Sequence, residues 1–241
     1  MQFSSPKKWS DHVYDEILDI LPSTVGDRET IASICSCSPY LAGILRAEPD
    51  WVLQAVQSKP ASMISYALDD LKNDDKELPS QLRKAKKRIA FLVAYLDLAG
   101  QIDLAEVTTT LSEFADLAVS ASLSFLLRSE FTAANSVVDN VPFGGMFALA
   151  MGKHGANELN YSSDIDLIML FDDELLEADT NAASRKKFVR VTQRMVKLLS
   201  EKTADGYVFR TDLRLRPDPA MTPVCVSVSA AERYYESVGR S

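Results

Sequence analysis

A chain of 241 residues with 46% hydrophobic and 25% charged side chains can build one large globular domain or two modest ones without disulfide or metal staples. Its net charge of −8 and pI near 4.9 argue against a general nucleic-acid binder, whose surface must be basic to meet phosphate backbones. A local basic site can still hold one nucleotide.

Cys35, Cys37 and Cys225 have no usual zinc spacing with each other or with His12 and His154, and read as buried free thiols in a reducing compartment. The N-terminus has no apolar signal core, and no uncharged apolar run approaches the ~20 residues that span a bilayer. A cytoplasmic protein with neither membrane nor nucleic-acid partners is expected.

Residues 10 to about 138 read as helices. Segments 10–21, 26–35, 39–57 and 61–72 are punctuated by Pro22, Pro39, Pro60 and Pro79. A helix from about Ser80 ends at Gly100. Its basic run from Arg83 to Arg88 reads as a solvated face, with docking of an acidic partner as the alternative. In the following helix Leu104, Val107, Leu111, Phe114, Ala118, Ala121 and Phe125 recur at steps of three and four, one apolar stripe. Asp103 and Glu106 have capping-box spacing at its start.

The period changes near Pro142. Met146–Met151 is a short apolar run bounded by glycines, which predicts a buried strand. Asp164 to Phe171 predicts another, with Asp164 and Asp166 on the face opposite Ile165 and Leu167. Residues 182–203 read as a helix, Tyr207 to Leu215 alternates like a strand, and Ser229-x-x-Glu232 has the pattern of a capping box opening a last helix. That helix is still running at Ser241, so an N-terminal piece of a longer protein is expected. The fold class is α+β: a helical region over 1–138, then a core with a small mixed sheet over 139–241.

The chemistry concentrates in that second part. Residues i and i+2 of a strand point the same way, so Asp164 and Asp166 project together, roughly 7 Å apart along the chain. Two hard oxygen ligands so placed, with a third in Asp212, suit magnesium, and metal ions can clamp the attacking and leaving oxygens of an in-line displacement. Asp212 shares a face with Arg210 and Arg214, whose guanidinium groups can fork onto phosphate. The Gly152-Lys153-x-Gly155 turn can bring backbone N–H groups to an anion, with Lys153 adding a point charge. It is not a P-loop, because the Gly-x4-Gly-Lys-Ser/Thr order is absent. Asp172 and Asp173 read as the solvated end of the strand or a helix cap, and His154 as a loop residue.

Residues 151–168, MGKHGANELNYSSDIDLI, and 210–218, RTDLRLRPD, strongly resemble the glutamine synthetase adenylyltransferase family. The resemblance covers nearly the whole chain. It implies a helical region ahead of a DNA polymerase β-like nucleotidyltransferase domain. Members carry two such domains: one attaches AMP to a tyrosine of glutamine synthetase, and the other removes it by phosphorolysis, giving ADP. Glu158-Leu159-Asn160-Tyr161-Ser162-Ser163 is similar to the adenylyl-removing domain, whereas the adenylylating one tends to read Gly-Ser before the aspartates.

Carried onto this sequence, the resemblance implies Asp164, Asp166 and Asp212 as magnesium ligands and catalytic carboxylates. It implies Gly152, Lys153, Gly155, Ser163, Arg214 and Arg216 as nucleotide and phosphate contacts. Gly152-Lys153 stands where the superfamily has Gly-Ser or Gly-Gly, and His154 and Ala156 replace a commoner Leu-Gly. The implied partners are glutamine synthetase, the PII signalling protein, phosphate and ADP/ATP. Competing expectations are adenylylation of glutamine synthetase from ATP, another polymerase β-type nucleotidyltransferase, and a non-catalytic docking module. Such modules usually lose a carboxylate, and all three are present.

Overall fold

The computed structural model describes residues 6–57, 65, 67–68, 71, 77–131, 142–176 and 181–238. The chain divides into two compact units, one of residues 1–74 and 81–110, the other of 75–80 and 111–241. The expected domain boundary near 138 lies outside the described residues. The two compact units part inside the long helix that precedes it, whose second part belongs with the sheet.

The first unit is helical. Helices α1 (Asp11–Ile20), α2 (Arg28–Cys37), α3 (Pro39–Ala47), α4 (Pro49–Val56) and most of α5 (Leu78–Leu98) bury Ile17, Ile31, Ile34, Leu45, Val52, Leu82, Phe91 and Tyr95. The expected helix over 39–57 is two helices, parted at Glu48-Pro49 because proline disfavours helical backbone in the residue before it. The expected helix at 61–72 lies mostly outside the described residues. Gly100 adopts φ +67 just past α5, and the N–H of Gln101 returns to the Leu96 carbonyl at 2.8 Å, closing that helix as expected.

The basic run is not simply a solvated face. Arg83 and Arg88 are buried, since six consecutive helical residues must go round the whole helix. Arg88 bonds Glu48 at 2.7 and 2.9 Å and lies 4.7 Å over the Trp51 ring. The thiols also divide. Cys35 and Cys225 are buried, and burial pushes both up to about 12, while Cys37 is exposed.

Helix α6 (Leu104–Glu130) opens with the expected capping box. Glu106 N–H donates to Asp103 at 2.8 Å, and Asp103 N–H donates to Glu106 at 2.9 Å. By length and composition alone α6 could cross a membrane. Of the expected stripe Val107, Leu111, Phe114 and Ala118 are buried, Ala121 and Phe125 are half-buried and Leu104 is exposed, and Leu123, Leu126 and Leu127 extend the buried side.

In the second unit the sheet is built on β2 (Ile165–Phe171). Strand β1 (Met146–Met151) runs antiparallel to it, with Met146 opposite Phe171 and Met151 opposite Asp166. On the other side lie β3 (Thr211–Asp212) and β4 (Cys225–Ser227), both parallel to β2, at its start and its end respectively. Only Thr211 and Asp212 of the expected 207–215 strand pair with the sheet. β1 is not the buried strand its composition predicts. Among the described residues it is an edge strand with one neighbour, and Phe147 and Leu149 are exposed. A run of six apolar residues cannot distinguish an edge from a centre.

Helix α8 (Asn181–Ser200) covers one sheet face through Phe188, Val191, Met195 and Leu199, with Phe171 stacked 5.1 Å from Phe188. α9 (Val228–Val238) packs on the other face, where Ala231 joins Ile168, Leu170 and Val226. Its expected capping box is not formed. The Ser227 hydroxyl receives the Ala230 N–H, and Ser229 is taken by Asp173, which accepts from its hydroxyl at 2.5 Å and its N–H at 3.3 Å.

Candidate active site

β1 ends at Met151, and the chain turns at Gly152, where φ is +56. One helical turn, α7 (Gly152–Gly155), follows, closed by bonds from Ala156 N–H to Gly152 O and from Glu158 N–H to Lys153 O. The two glycines are required for different reasons. A Cβ on Gly152 would stand 2.8 Å from Asp166 Oδ2, and one on Gly155 would stand 2.4 Å from the Ala150 carbonyl oxygen. The turn is thus wedged between the end of β1 and the carboxylate of its cross-strand partner.

The loop returning to β2 is held by Asn160. Its side-chain oxygen accepts from Ser162 N–H at 3.2 Å and from the Ser163 hydroxyl at 2.9 Å. Asp164 follows, immediately ahead of β2. Asp166, two residues on, stands beside Asp212 in the parallel register of β2 and β3. All three acidic residues therefore lie at the end of the sheet where β2 begins. By strand alternation Asp166 lies on the same face as Ile168 and Leu170.

Two arginines neutralise the outer two acids. Arg210 donates from Nε to Asp164 at 2.5 Å and from a terminal nitrogen to the Ser162 carbonyl at 2.8 Å. Arg214 grips Asp212 with its backbone N–H at 2.8 Å and its guanidinium at 2.5 to 3.0 Å. The Arg214 bonds hold Asp212 below its ordinary carboxylate range, and Asp164 holds Arg210 more firmly protonated. Among the described residues no group of three or more His, Cys, Asp or Glu side chains is gathered as a metal site. Asp164 and Asp212 are turned onto their arginines, and Asp166 faces Gly152.

The sequence-predicted residues are thereby sorted. Asp164, Asp166, Asp212, Gly152, Gly155 and Arg214 come together. Lys153 is exposed on the turn beside them. Ser163 shapes the loop through Asn160. Arg216 points into its own following loop, donating to the carbonyls of Leu213 and Pro219 at 2.8 Å and of Thr222 at 3.3 Å.

His154 is a correction. It is buried, not a plain loop residue, and its Nε2 lies 2.9 Å from Asp116 on α6. Ser112 and Asp116 lie one turn apart on α6, but the helix carries many other polar residues, so their spacing alone does not mark them as partners of the turn. Arg210, weighed from its spacing but not placed among the phosphate contacts, belongs at the site through Asp164.

The family described as glutamate-ammonia ligase adenylyltransferase matches residues 28–241. The chain is 41% identical to the bifunctional glutamine synthetase adenylyltransferase/adenylyl-removing enzyme of Xanthobacter autotrophicus, over 84% of this chain and 21% of that protein. It is 39% identical to the protein of the same name from Rhodopseudomonas palustris strain BisB5, over 98% of this chain and 26% of the other. The Rhizobium meliloti protein of that name is 38% identical, over 97% and 25%. The chain therefore spans about a quarter or less of the relatives it matches. With three acids and a glycine turn at one end of a mixed sheet, and a match over most of its length, the chain belongs to the glutamate–ammonia ligase adenylyltransferase family.

Proposed function

We propose that this chain carries the adenylyl-removing reaction, in which phosphate displaces tyrosine from the adenylylated tyrosine of glutamine synthetase and yields ADP. The observation that carries nucleotidyl-transfer chemistry is the register placing Asp166 beside Asp212, with Asp164 two residues ahead and Gly152 against the Asp166 carboxylate, an arrangement that serves AMP addition and removal alike. The relatives' name covers both addition and removal of AMP. The loop Asn160-Tyr161-Ser162-Ser163, similar to the removing domain, supports removal.

The donor set fits magnesium, being carboxylate oxygens only, with one of them held against a residue that has no side chain to obstruct the approach. Asp164, Asp166 and Asp212 would hold it, the outer two turning from their arginines. When bound, magnesium supplies positive charge to the α-phosphate and to the departing tyrosine oxygen. Arg210 and Arg214, once released, are the nearest guanidinium groups for the attacking phosphate, with Lys153 as a point charge. A phosphate oxygen forms a bond to the α-phosphorus while the bond to the tyrosine oxygen breaks. The electron pair leaves with that oxygen, which takes a proton from solvent. Phosphate is already an anion at neutral pH, so the residues need only position it. PII signalling protein is a further partner on this reading, and the cytoplasm its compartment.

The test mixes the chain with adenylylated glutamine synthetase, phosphate and magnesium, and follows ADP. The native chain should release ADP, and Asp164→Asn and Asp166→Asn should not. AMP transfer from ATP without ADP release would assign the chain to the opposite reaction. Equal turnover in the Asn variants would remove the acids from the chemistry.

A further inference from the structure

The geometry points to a two-point clamp in which Ser112 and Asp116 of α6 set the position of the glycine turn, making them positioning residues for anion binding at Lys153. From Gly152 to Glu158 the only buried side chain is that of His154. The backbone bonds of the turn fix its shape, but they join it only to itself. What ties it to α6 is the His154 ring, whose Nε2–H donates to Asp116 at 2.9 Å, because a carboxylate can only accept. At the far end of the segment the buried N–H of Leu159 donates to the Ser112 hydroxyl at 3.3 Å. Ser112 and Asp116 are four residues apart, so both bonds leave one face of one helix.

On the side facing α6, packing leaves room for these bonds to matter. A cavity of about 360 Å3 lies beside the pair, lined by Val119, Leu123, Phe147, Ala150 and Leu167 as well as by His154 and Asp116. On that side the turn is tied to α6 by its hydrogen bonds, while on the other Gly155 lies against the Ala150 carbonyl and Gly152 against the Asp166 carboxylate. Lys153 precedes His154 directly, so any shift of the ring moves the lysine and the N–H groups next to it. The clamp stands on geometry alone. Its consequence for phosphate rests on the adenylyl-removing reading.

The test uses Asp116→Ala. The Asp116 side chain is 62% exposed on a helix, so alanine threatens neither core nor helix. Asp116→Asn keeps an acceptor oxygen, and Ser112→Ala removes the second point. Amide hydrogen exchange over residues 152–160 and the KM for phosphate are measured in each. Asp116→Ala should speed exchange in the turn about tenfold and raise KM about tenfold, with a smaller change in kcat, the equivalent of ~1.4 kcal/mol. Asp116→Asn should restore both, and Ser112→Ala should act mainly on residues 158–160. Wild-type exchange in the Asp116→Ala turn, or an Asn variant as impaired as the alanine one, would overturn the clamp. Faster exchange with unchanged KM would overturn its link to anion binding. If the native chain shows no turnover, the adenylyl-removing reading fails, and exchange alone decides the clamp.

Discussion

Gly152→Ala isolates the contact on which the active-site reading depends. The residue sits at φ +56, where an L side chain costs about 1–2 kcal/mol. Its new methyl would start 2.8 Å from Asp166 Oδ2, so the carboxylate must retreat by roughly 0.6 Å to reach ordinary contact at ~3.4 Å. The neighbour is a side chain at the mouth of the site, so the carboxylate can yield while the sheet stays in place. Stability should therefore fall by about 2–3 kcal/mol, about 1–2 from the backbone angle and about 1 from the displaced carboxylate, a Tm loss of roughly 4–12 °C for a chain of this size. Turnover should fall much further, about 100-fold, since misplacing a positioning group by up to 1 Å costs on that order. Urea denaturation measures the first quantity and ADP release the second. Gly43→Ala is the control. It lies in α3, a Cβ there meets nothing within 4 Å, and it should gain about 0.5–1 kcal/mol without touching turnover. A Gly152→Ala chain that turns over like the native one would refute the argument that Asp166 must stay against a bare backbone.

Three further outcomes follow from the same geometry. Arg216→Lys should cost about 1–3 kcal/mol in urea and leave the KM for phosphate unchanged, because a lysine cannot span the carbonyls of Leu213, Pro219 and Thr222; a raised KM would return Arg216 to the phosphate site. Glu48→Ala should cost about 3 kcal/mol by denaturation, since it deprives the buried Arg88 of the Glu48 carboxylate, and a loss below ~1 kcal/mol would show that the other contacts of Arg88, Trp51 among them, suffice. Burial pushes the Lys86 ammonium down to about 8, from an ordinary value of 10.5. The unfolded chain therefore binds more protons between those values, so the stability contributed at this residue should rise as pH climbs from 8 to 10.5. Denaturation of native and Lys86→Met chains across that range should show a difference that varies with pH in this direction, and a constant difference would contradict it.

Where a signal was local, the sequence carried it. The Asp103/Glu106 box and the Gly100 stop are made by residues within six positions of each other, and both formed. The acids were legible because strand alternation fixes Asp164 and Asp166 relative to each other. What could not be read was which strand would be central. β1 and β2 are both apolar runs, and only pairing shows that β1 is the edge. Long-range polar partners were hidden for the same reason. Nothing near Arg88 in sequence announces Glu48, forty residues earlier, and nothing near His154 announces Asp116. The Ser229 box failed because Asp173, from the end of β2, competes for the same serine. Local spacing counts donors and acceptors along the chain, whereas folding pairs them across it.

The glycine turn and the Asp-x-Asp pair are one device, and a double-mutant cycle can show it. Met151 is opposite Asp166 in the β1–β2 register, so the residue after Met151 must pass that carboxylate as it turns. At Gly152 the obstacle to a methyl is thus the Asp166 side chain, whereas at Gly155 it is the backbone oxygen of Ala150, 2.4 Å away, which no rotamer change can move. Removing the carboxylate should relieve the first clash and not the second. In urea denaturation, Gly152→Ala and Asp166→Ala should be non-additive by about 1 kcal/mol, the double variant being more stable than the sum of the single losses. Gly155→Ala should cost about 2–3 kcal/mol as overpacking against backbone, and its loss should add to that of Asp166→Ala within ~0.5 kcal/mol. Additivity at Gly152 would mean that its backbone angle alone demands glycine. The spacing of the turn from the aspartates would then reflect loop length and not contact.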